Sequence, residues 1–416
     1  MLTKKSWLAP GLVTLWVGSF VASVPACNSS DSSSDPDASG GADSSHSSGG
    51  DASAGASDSA VGGESAGPAG DGGAPGAGGA PGDAGAPATS AADALPATTF
   101  LYVYSETADS DVLMAWDYST GEQRVVTDLR GDGSEGWEIW GHTISPDRRR
   151  IALASLYDPT QADIDTQLAT RRIHTIAPDG SDFQRLTPVF ENTGAGRKNF
   201  SISVEDPAFT AEGSSVIYDF GNWWYEGTTL EGGSLPWSVA TSGALPELFP
   251  TVTSCTVVSP SVNPATGDVL FVHSVCVSSA DEGIFLYPST GGTEPTKLVA
   301  RGYGAGAVDP SLEKASWLAD GSGFLFVGVI EVMRGNEIDT ASSLLSFDMT
   351  SGEISVLVIP EPDTDIRNAA VAPDGAGIVY CLAHDDVLDL HAIDLTVDPP
   401  EDAAITNDGK SCQPGF

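Results

Sequence analysis

The sequence predicts an all-β fold: a six-bladed β-propeller of four-stranded antiparallel blades, closed by the C-terminal strand and preceded by a disordered N-terminal linker. Three observations carry that reading. From Thr98 onward apolar and polar residues alternate in short runs broken by Gly, Asp and Pro, the period of strands whose successive side chains face opposite sides. A unit of two strands and a turn recurs, and its turn positions Ala211, Ala265, Ala319 and Pro373 are spaced 54 residues apart. A second pair of short strands follows each unit, over 112–127, 172–187, 235–250, 284–300, 344–359 and 390–406. Four strands make one propeller blade, so six second halves give six blades. A blade has two apolar faces and needs a neighbour on each, which a closed ring supplies.

The elements ahead of the blades follow in chain order. Lys4 and Lys5 precede a largely apolar stretch over 7–24 that ends at Val24-Pro25-Ala26-Cys27, the layout of a secretory signal. Ala26 followed directly by Cys27 resembles the lipobox of bacterial lipoproteins, with Pro25 in place of the commoner Ala or Ser. That resemblance implies a signal peptide over 1–26, cleavage before Cys27, and fatty acylation of Cys27, including palmitate, as the tie to a membrane. Asn28 is not the aspartate that retains lipoproteins at the inner membrane of enteric bacteria. The expected location is therefore the cell envelope, as an outer-membrane lipoprotein that is periplasmic or surface-exposed.

Residues 27–97 carry the lipidated cysteine and then almost only Ser, Gly, Ala, Asp and Pro, with no aromatic ring to bury, so this segment is read as a solvated tether. Glycine recurs at every third place over 67–87, but the run is too short and proline-poor for a triple helix. Gly63-Glu64-Ser65-Ala66-Gly67 fits the G-x-S-x-G pattern of serine hydrolases, yet that pattern needs a strand-to-helix elbow that a linker lacks.

The propeller occupies 98–416. Ser145-Pro146-Asp147, Ala372-Pro373-Asp374-Gly375, Pro178-Asp179-Gly180 and Arg185-Leu186-Thr187 resemble the repeats of TolB-like six-bladed propellers, and blades three to five match that pattern loosely. The resemblance implies fold far more than function, because this architecture hosts scaffolds, receptors and enzymes. The segment over 405–416 looks like the last strand of blade six followed by the first strand of another unit, while 100–105 begins at a second strand. The C-terminal residues are therefore expected to complete blade one.

Four cysteines remain in the exported domain. Cys255 and Cys276 lie equally far from the turn between Asn263 and Asp268, which places them opposite one another in a hairpin; Cys381 and Cys412 then join blade six to the closing strand as a second disulfide. No C-x-x-C or His-flanked spacing suggests a metal or a cofactor among them.

Charge narrows the partners. With 18 Lys+Arg against 57 Asp+Glu the formal net charge is -39, which excludes a nucleic-acid partner. In a propeller the connections from second to third strand, and from fourth strand to the next blade, emerge on one face. The long loops read from the sequence, over 156–170, 220–234, 275–282 and 330–342 and over 129–138, 189–200 and 301–310, are of those two kinds. That rim carries the candidate binding residues Trp137, Trp223, Trp224, Tyr225 and Tyr303 beside acids such as Glu226, Glu231 and Asp281, a set that suits a protein, peptide or glycan ligand. His142, His273 and His384, placed on inner strands of blades two, four and six, stand at different depths relative to their turns and are read as ordinary strand histidines. No catalytic constellation is visible. The reading is a non-enzymatic binding scaffold, the alternative a propeller enzyme such as a metal-dependent polysaccharide lyase or a hydrolase relative.

Overall fold

The computed structural model describes residues 94–107, 110–128, 139–155, 171–188, 198–226, 229–251, 255–290, 294–302, 307–310, 314–385, 387–397 and 400–416. The signal segment, Cys27 and the glycine-rich stretch lie outside the described residues.

Alternation becomes strands arranged in six sheets. Blade one is built on β1 (Thr99–Thr107), β2 (Ser110–Asp117) and β3 (Glu122–Asp128). Blade two holds β4 (Ile139–Ile144), β5 (Ile151–Ser155), β6 (Arg172–Ile176) and β7 (Gln184–Arg185). Blade three holds β8 (Lys198–Phe209), β9 (Ser215–Glu226), β10 (Thr229–Ala240) and β11 (Glu247–Leu248). Blade four holds β12 (Thr256–Val262), β13 (Val269–Ser274), β14 (Gly283–Tyr287) and β15 (Thr296–Ala300). In blade five the inner strand is split into β16 (Asp309–Pro310) and β17 (Ser316–Trp317), both paired with β18 (Gly323–Arg334), ahead of β19 (Glu337–Asp348) and β20 (Ile354–Val358). Blade six holds β21 (Asp365–Val371), β22 (Gly377–His384), β23 (Val387–Asp394) and β24 (Glu401–Ala404). Finally β25 (Ser411–Gly415) pairs antiparallel with β1, setting Gly415 opposite Leu101 and Ser411 opposite Tyr104, so the C-terminal strand completes blade one as the sequence predicts.

The period of two explains why the ring holds together. On β5, Ile151 and Leu153 pack toward blade one while Ala152 and Ala154 pack toward blade three. On β13, Val269 and Phe271 face blade three while Leu270 and Val272 face blade five. On β18, Phe324 and Phe326 face blade four while Leu325 and Val327 face blade six. Each strand thus feeds two interfaces, and the six apolar clusters are the six contacts between neighbouring blades. The inner strands β25, β4, β8, β12, β17 and β21 pack each on the next around the axis. Phe416 closes the seam against Phe100 and Tyr118, at 5.6 and 6.3 Å between ring centroids. Both disulfides form as read: Cys255 with Cys276 inside blade four, and Cys381 with Cys412 from blade six to the closing strand.

The recurrent turn owes its glycine to backbone geometry. Gly213, Gly267, Gly321 and Gly375 all have φ between 69 and 78°, where an L side chain is strained. Arg148 holds the equivalent place in blade two with φ 58°, and its guanidinium donates to the carbonyls of Leu95 and Thr99. The departure from glycine therefore clamps the start of the domain.

Three expectations change. Leu95, assigned to the linker, is buried in the cluster between blades one and two, so the described domain starts before residue 98, and the apolar surface that leucine buries is what holds its start in place. The segments over 220–234 and 330–342, read as loops, are continuations of the β9–β10 and β18–β19 ladders, with Asp219 paired to Pro236 and Arg334 to Glu337. Aromatic and β-branched residues there keep the strands going, and in the β18–β19 ladder a Gly-Asn pair at Gly335 makes the turn. His273 and His384 lie on second strands, β13 and β22, and only His142 is on an inner strand. His273 stacks on Phe285 and shares a hydrogen bond with the Tyr287 hydroxyl, and His384 is exposed.

Candidate functional site

The inner strands share one irregularity that shapes the axial channel. In β4, β8, β12 and β25 the ladder breaks at a bulge holding a left-handed residue: Gly141 (φ 103°), Asp206 (φ 48°), Ser259 (φ 57°) and Gln413 (φ 53°). Such bulges re-aim side chains and free backbone groups. A side chain at Gly141 would put its Cβ 2.9 Å from Asp206 Oδ1, so the glycine lets blade two approach that acid.

Two cavities open along the channel, and both include Glu205 and Asp206 in their walls. One, of about 610 Å³, reaches the turn residues Pro264, Ala319 and Pro373 and is lined by His142, Lys314 and Gln413. The other, of about 570 Å³, lies between blades three and four and is lined by Asp219, Trp223, Ser234, Thr256, Ser259 and Ser274, with Arg171 from blade two. These residues stand at strand ends that lead into second-to-third and fourth-to-first connections, so this cavity opens toward the rim that the loop pattern singles out.

The second cavity exists because the face of one strand changes character. Ile217 on β9 belongs to the apolar interface with blade four. Two residues on, the same face presents Asp219, then Gly221, then Trp223. Across the ladder Gly221 is flanked by Ser203 and Ser234. A Cβ at Gly221 would sit 2.5 Å from Ser203 Oγ, 2.8 Å from Trp223 Nε1 and 3.5 Å from Ser234 Oγ, so these polar groups converge over a floor that only glycine leaves open.

The electrostatics are those of three carboxyl groups and two cations. Asp219, 4% exposed, accepts the Ser259 amide on Oδ2 at 2.7 Å, while its Oδ1 has no partner among the described residues. Burial, with Asp206 and Glu205 close by, pushes this carboxyl well above the usual range against the pull of the Ser259 amide. Asp206 takes a bond from Ser259 Oγ at 3.0 Å; burial raises it too, against the pull of Lys314. Glu205 pairs with Arg171, whose guanidinium lies 3.5 Å over the Trp140 ring, and burial still holds Glu205 above its ordinary value. Lys314 donates to the Pro207 carbonyl at 2.6 Å, and burial brings its ammonium down to about 8. His142 is neutral at physiological pH, because burial lowers it to about 4; its Nε2 lies 2.8 Å from the Gln413 carbonyl.

Of the aromatic residues read from the sequence, Trp223 lines the second cavity. Trp224 and Tyr225 follow on β9 opposite Glu231 and Leu230, and nothing further is described of their side chains. Trp137 and Tyr303, with Cys27, lie outside the described residues. Sequence reasoning missed Asp206, Asp219, Lys314 and Arg171. A signal existed for two of them: Asp219 interrupts the apolar run of β9, and Lys314 is one of few cations in a very acidic chain. Among the described residues no three His, Cys, Asp or Glu side chains are grouped to hold a metal ion.

Neither a family model nor a curated protein matches the chain. Solved structures do. A hydrazine synthase from Kuenenia stuttgartiensis aligns over 77% of this chain and 47% of its own, at 13% identity and TM-score 0.54. A nidogen/laminin complex aligns over 76% of this chain and 97% of its own, at 10% identity and TM-score 0.50. TolB from Acinetobacter baumannii aligns over 76% and 66%, at 14% identity and TM-score 0.49. The chain thus spans under half of the synthase chain and just under two thirds of the TolB chain. At these identities the likeness is one of fold. The TolB-like six-bladed propeller read from the repeats stands as a description of that fold, on the blade count and closure given above.

Proposed function

We propose that this propeller is a non-enzymatic binding domain, exported and tethered to a membrane through acylated Cys27, that takes a protein or peptide segment into the cavity between blades three and four. One observation carries the reading: Trp223 and the buried, half-partnered Asp219 sit on one strand face in a cavity that opens on the rim where connections between strands are longest. An aromatic wall beside a desolvated acid is what a recognition pocket needs for both grip and orientation. A ring of six sheets closed by β25 holds these groups on hydrogen-bonded strands, which suits binding at low reorganisation cost. One fold neighbour comes from a complex between two proteins, nidogen and laminin, which is compatible with a propeller that binds protein.

The test is capture from envelope extract by the protein and by its Trp223→Ala variant. The reading expects a discrete captured polypeptide that the variant loses while keeping its circular dichroism spectrum; equal capture by both proteins would refute it. The competing reading is an enzyme, and the amine of Lys314 among carboxyl groups in a cavity is the observation in its favour. Turnover of a polysaccharide by the wild type, lost in Lys314→Met, would establish that reading instead.

A further inference from the structure

The groups that face the second cavity are not balanced. Glu205 is matched by Arg171, and Asp206 by Lys314 and the Ser259 hydroxyl, but Asp219 Oδ1 meets no donor among the described residues. The hydroxyls of Ser234 and Ser274, each 4% exposed and lining the same cavity from blades three and four, are also without a hydrogen-bond partner there. Buried polar groups left unpaired are destabilising, so a set of three in one cavity marks a place built for something that donates. With Asp219 ionised, its free oxygen and the two hydroxyl oxygens accept three hydrogen bonds, and the three carboxylates Glu205, Asp206 and Asp219 outnumber the cations Arg171 and Lys314 by one.

We infer that this cavity receives a primary ammonium group, seated on Asp219 Oδ1 and the Ser234 and Ser274 hydroxyls beside Trp223 and carried either by a lysine side chain or by a free alkyl amine. The inference deepens the binding reading above and rests on it. An ammonium offers three donors and a compact charge, which matches the acceptor set. A guanidinium fork fits less well, since Asp219 Oδ2 is already held by the Ser259 amide at 2.7 Å and one oxygen alone is free. A neutral sugar hydroxyl would pair the serines and leave the charge unmatched. Gly221 supplies the room, because its missing side chain leaves the floor clear beneath Ser203, Trp223 and Ser234.

Seating a cation favours the ionised form of Asp219, so affinity rises with pH as that carboxyl gives up its proton. The charged groups that face it are Glu205 and Asp206 from β8, Arg171 from blade two and Lys314 from blade five, whereas β10 and blade four contribute the hydroxyls of Ser234, Thr256, Ser259 and Ser274.

The experiment is isothermal titration of the full chain at low salt with four probes: cadaverine, the blocked tripeptide Gly-Lys-Gly, and its Gly-Arg-Gly and Gly-norleucine-Gly counterparts. The expected result is binding of an amine probe, at least about tenfold weaker binding of the arginine peptide, and none of the norleucine peptide. A tighter lysine peptide assigns the site to polypeptide, a tighter cadaverine to a free amine, and either supports the inference. Asp219→Asn should lose about tenfold or more in affinity, and Ser274→Ala, which keeps the acid, a smaller factor. Equal affinity for lysine and arginine peptides, or amine binding unchanged in both variants, overturns it. If a partner is captured through Trp223 but no amine binds, the inference fails and the binding reading stands; if amines bind and no partner is captured, the converse holds.

Discussion

Replacing Lys314 by methionine removes a cation from the middle of the acid cluster while keeping the length of the side chain. In the wild type this amine, brought down to about 8 by burial, is still protonated at neutral pH and sits near Asp206 and Asp219. The unfolded chain holds that proton up to the ordinary lysine range, so the lysine's own contribution makes stability rise with pH between about 8 and the unfolded value. The two aspartates act in the opposite sense: their folded pKa values are raised, the folded state binds more protons, and stability falls as pH rises through the window between the ordinary aspartate value and their raised folded values. Without Lys314 both acids rise further and the window widens. Breaking a fully buried pair costs about 3–5 kcal/mol, and because Lys314 and Asp206 each keep part of their surface exposed, a loss of about 2 kcal/mol at about pH 7, where the amine is still charged, is expected. At about pH 5 the acids of the variant can protonate, and the loss should shrink to below about 1 kcal/mol. Urea unfolding of both proteins at the two pH values measures this. A loss that is the same at both, or larger in acid, would refute the coupling between Lys314 and the carboxyl groups.

Three further outcomes are expected. Replacing Cys381 and Cys412 by serine opens a loop with a sequence separation of 31, which on chain entropy alone costs about 4 kcal/mol in denaturant unfolding, against about 3 kcal/mol for the Cys255–Cys276 pair with a separation of 21. Equal stability of the serine variant and the oxidised wild type would show that the seam does not depend on the bond. Arg148→Gly restores the glycine of the repeat but loses the clamp on Leu95 and Thr99, for a net loss of about 1 kcal/mol and earlier proteolytic cleavage next to Leu95; a gain in melting temperature would contradict that balance. Expressed with its own leader in a Gram-negative host, the wild type should take up an alkyne-tagged palmitate label that Cys27→Ser does not, and label retained by the variant would remove Cys27 as the anchor.

The ring was legible in the sequence because its information is local and repeated. Period-two alternation fixes the two faces of a strand, and Gly180, Gly321 and Gly375 mark turns that need a left-handed residue. Even the closing strand could be inferred from a half-unit at each end. The cavity was only partly legible. Trp223 stood out as an aromatic residue near the rim, but the atoms that give it company come from blades two to four and meet only after the ring has formed. Nothing in a single strand announces that the face beginning at Ile217 turns polar at Asp219 and is left open at Gly221. The long segments over 220–234 and 330–342 were misread because glycine and charge there resemble loop composition, whereas pairing with the adjacent strand satisfies their backbone groups more fully than water-exposed coil.

The seam of blade one also has a temporal consequence. Thr99–Thr107 finds the partner for its free edge only in Ser411–Gly415, so nearly the whole described chain must be threaded before that edge is covered. Until then a nascent arc of five complete blades and three strands of blade one presents an unpaired strand at one end and the uncovered apolar face of blade six at the other, both adhesive surfaces. Two such arcs in the same compartment can lend each other their last strand, and the product is an exchanged dimer with the same local pairings as the monomer. Slow refolding at high protein concentration, followed by size-exclusion chromatography, should therefore trap interlocked pairs that dilute refolding does not.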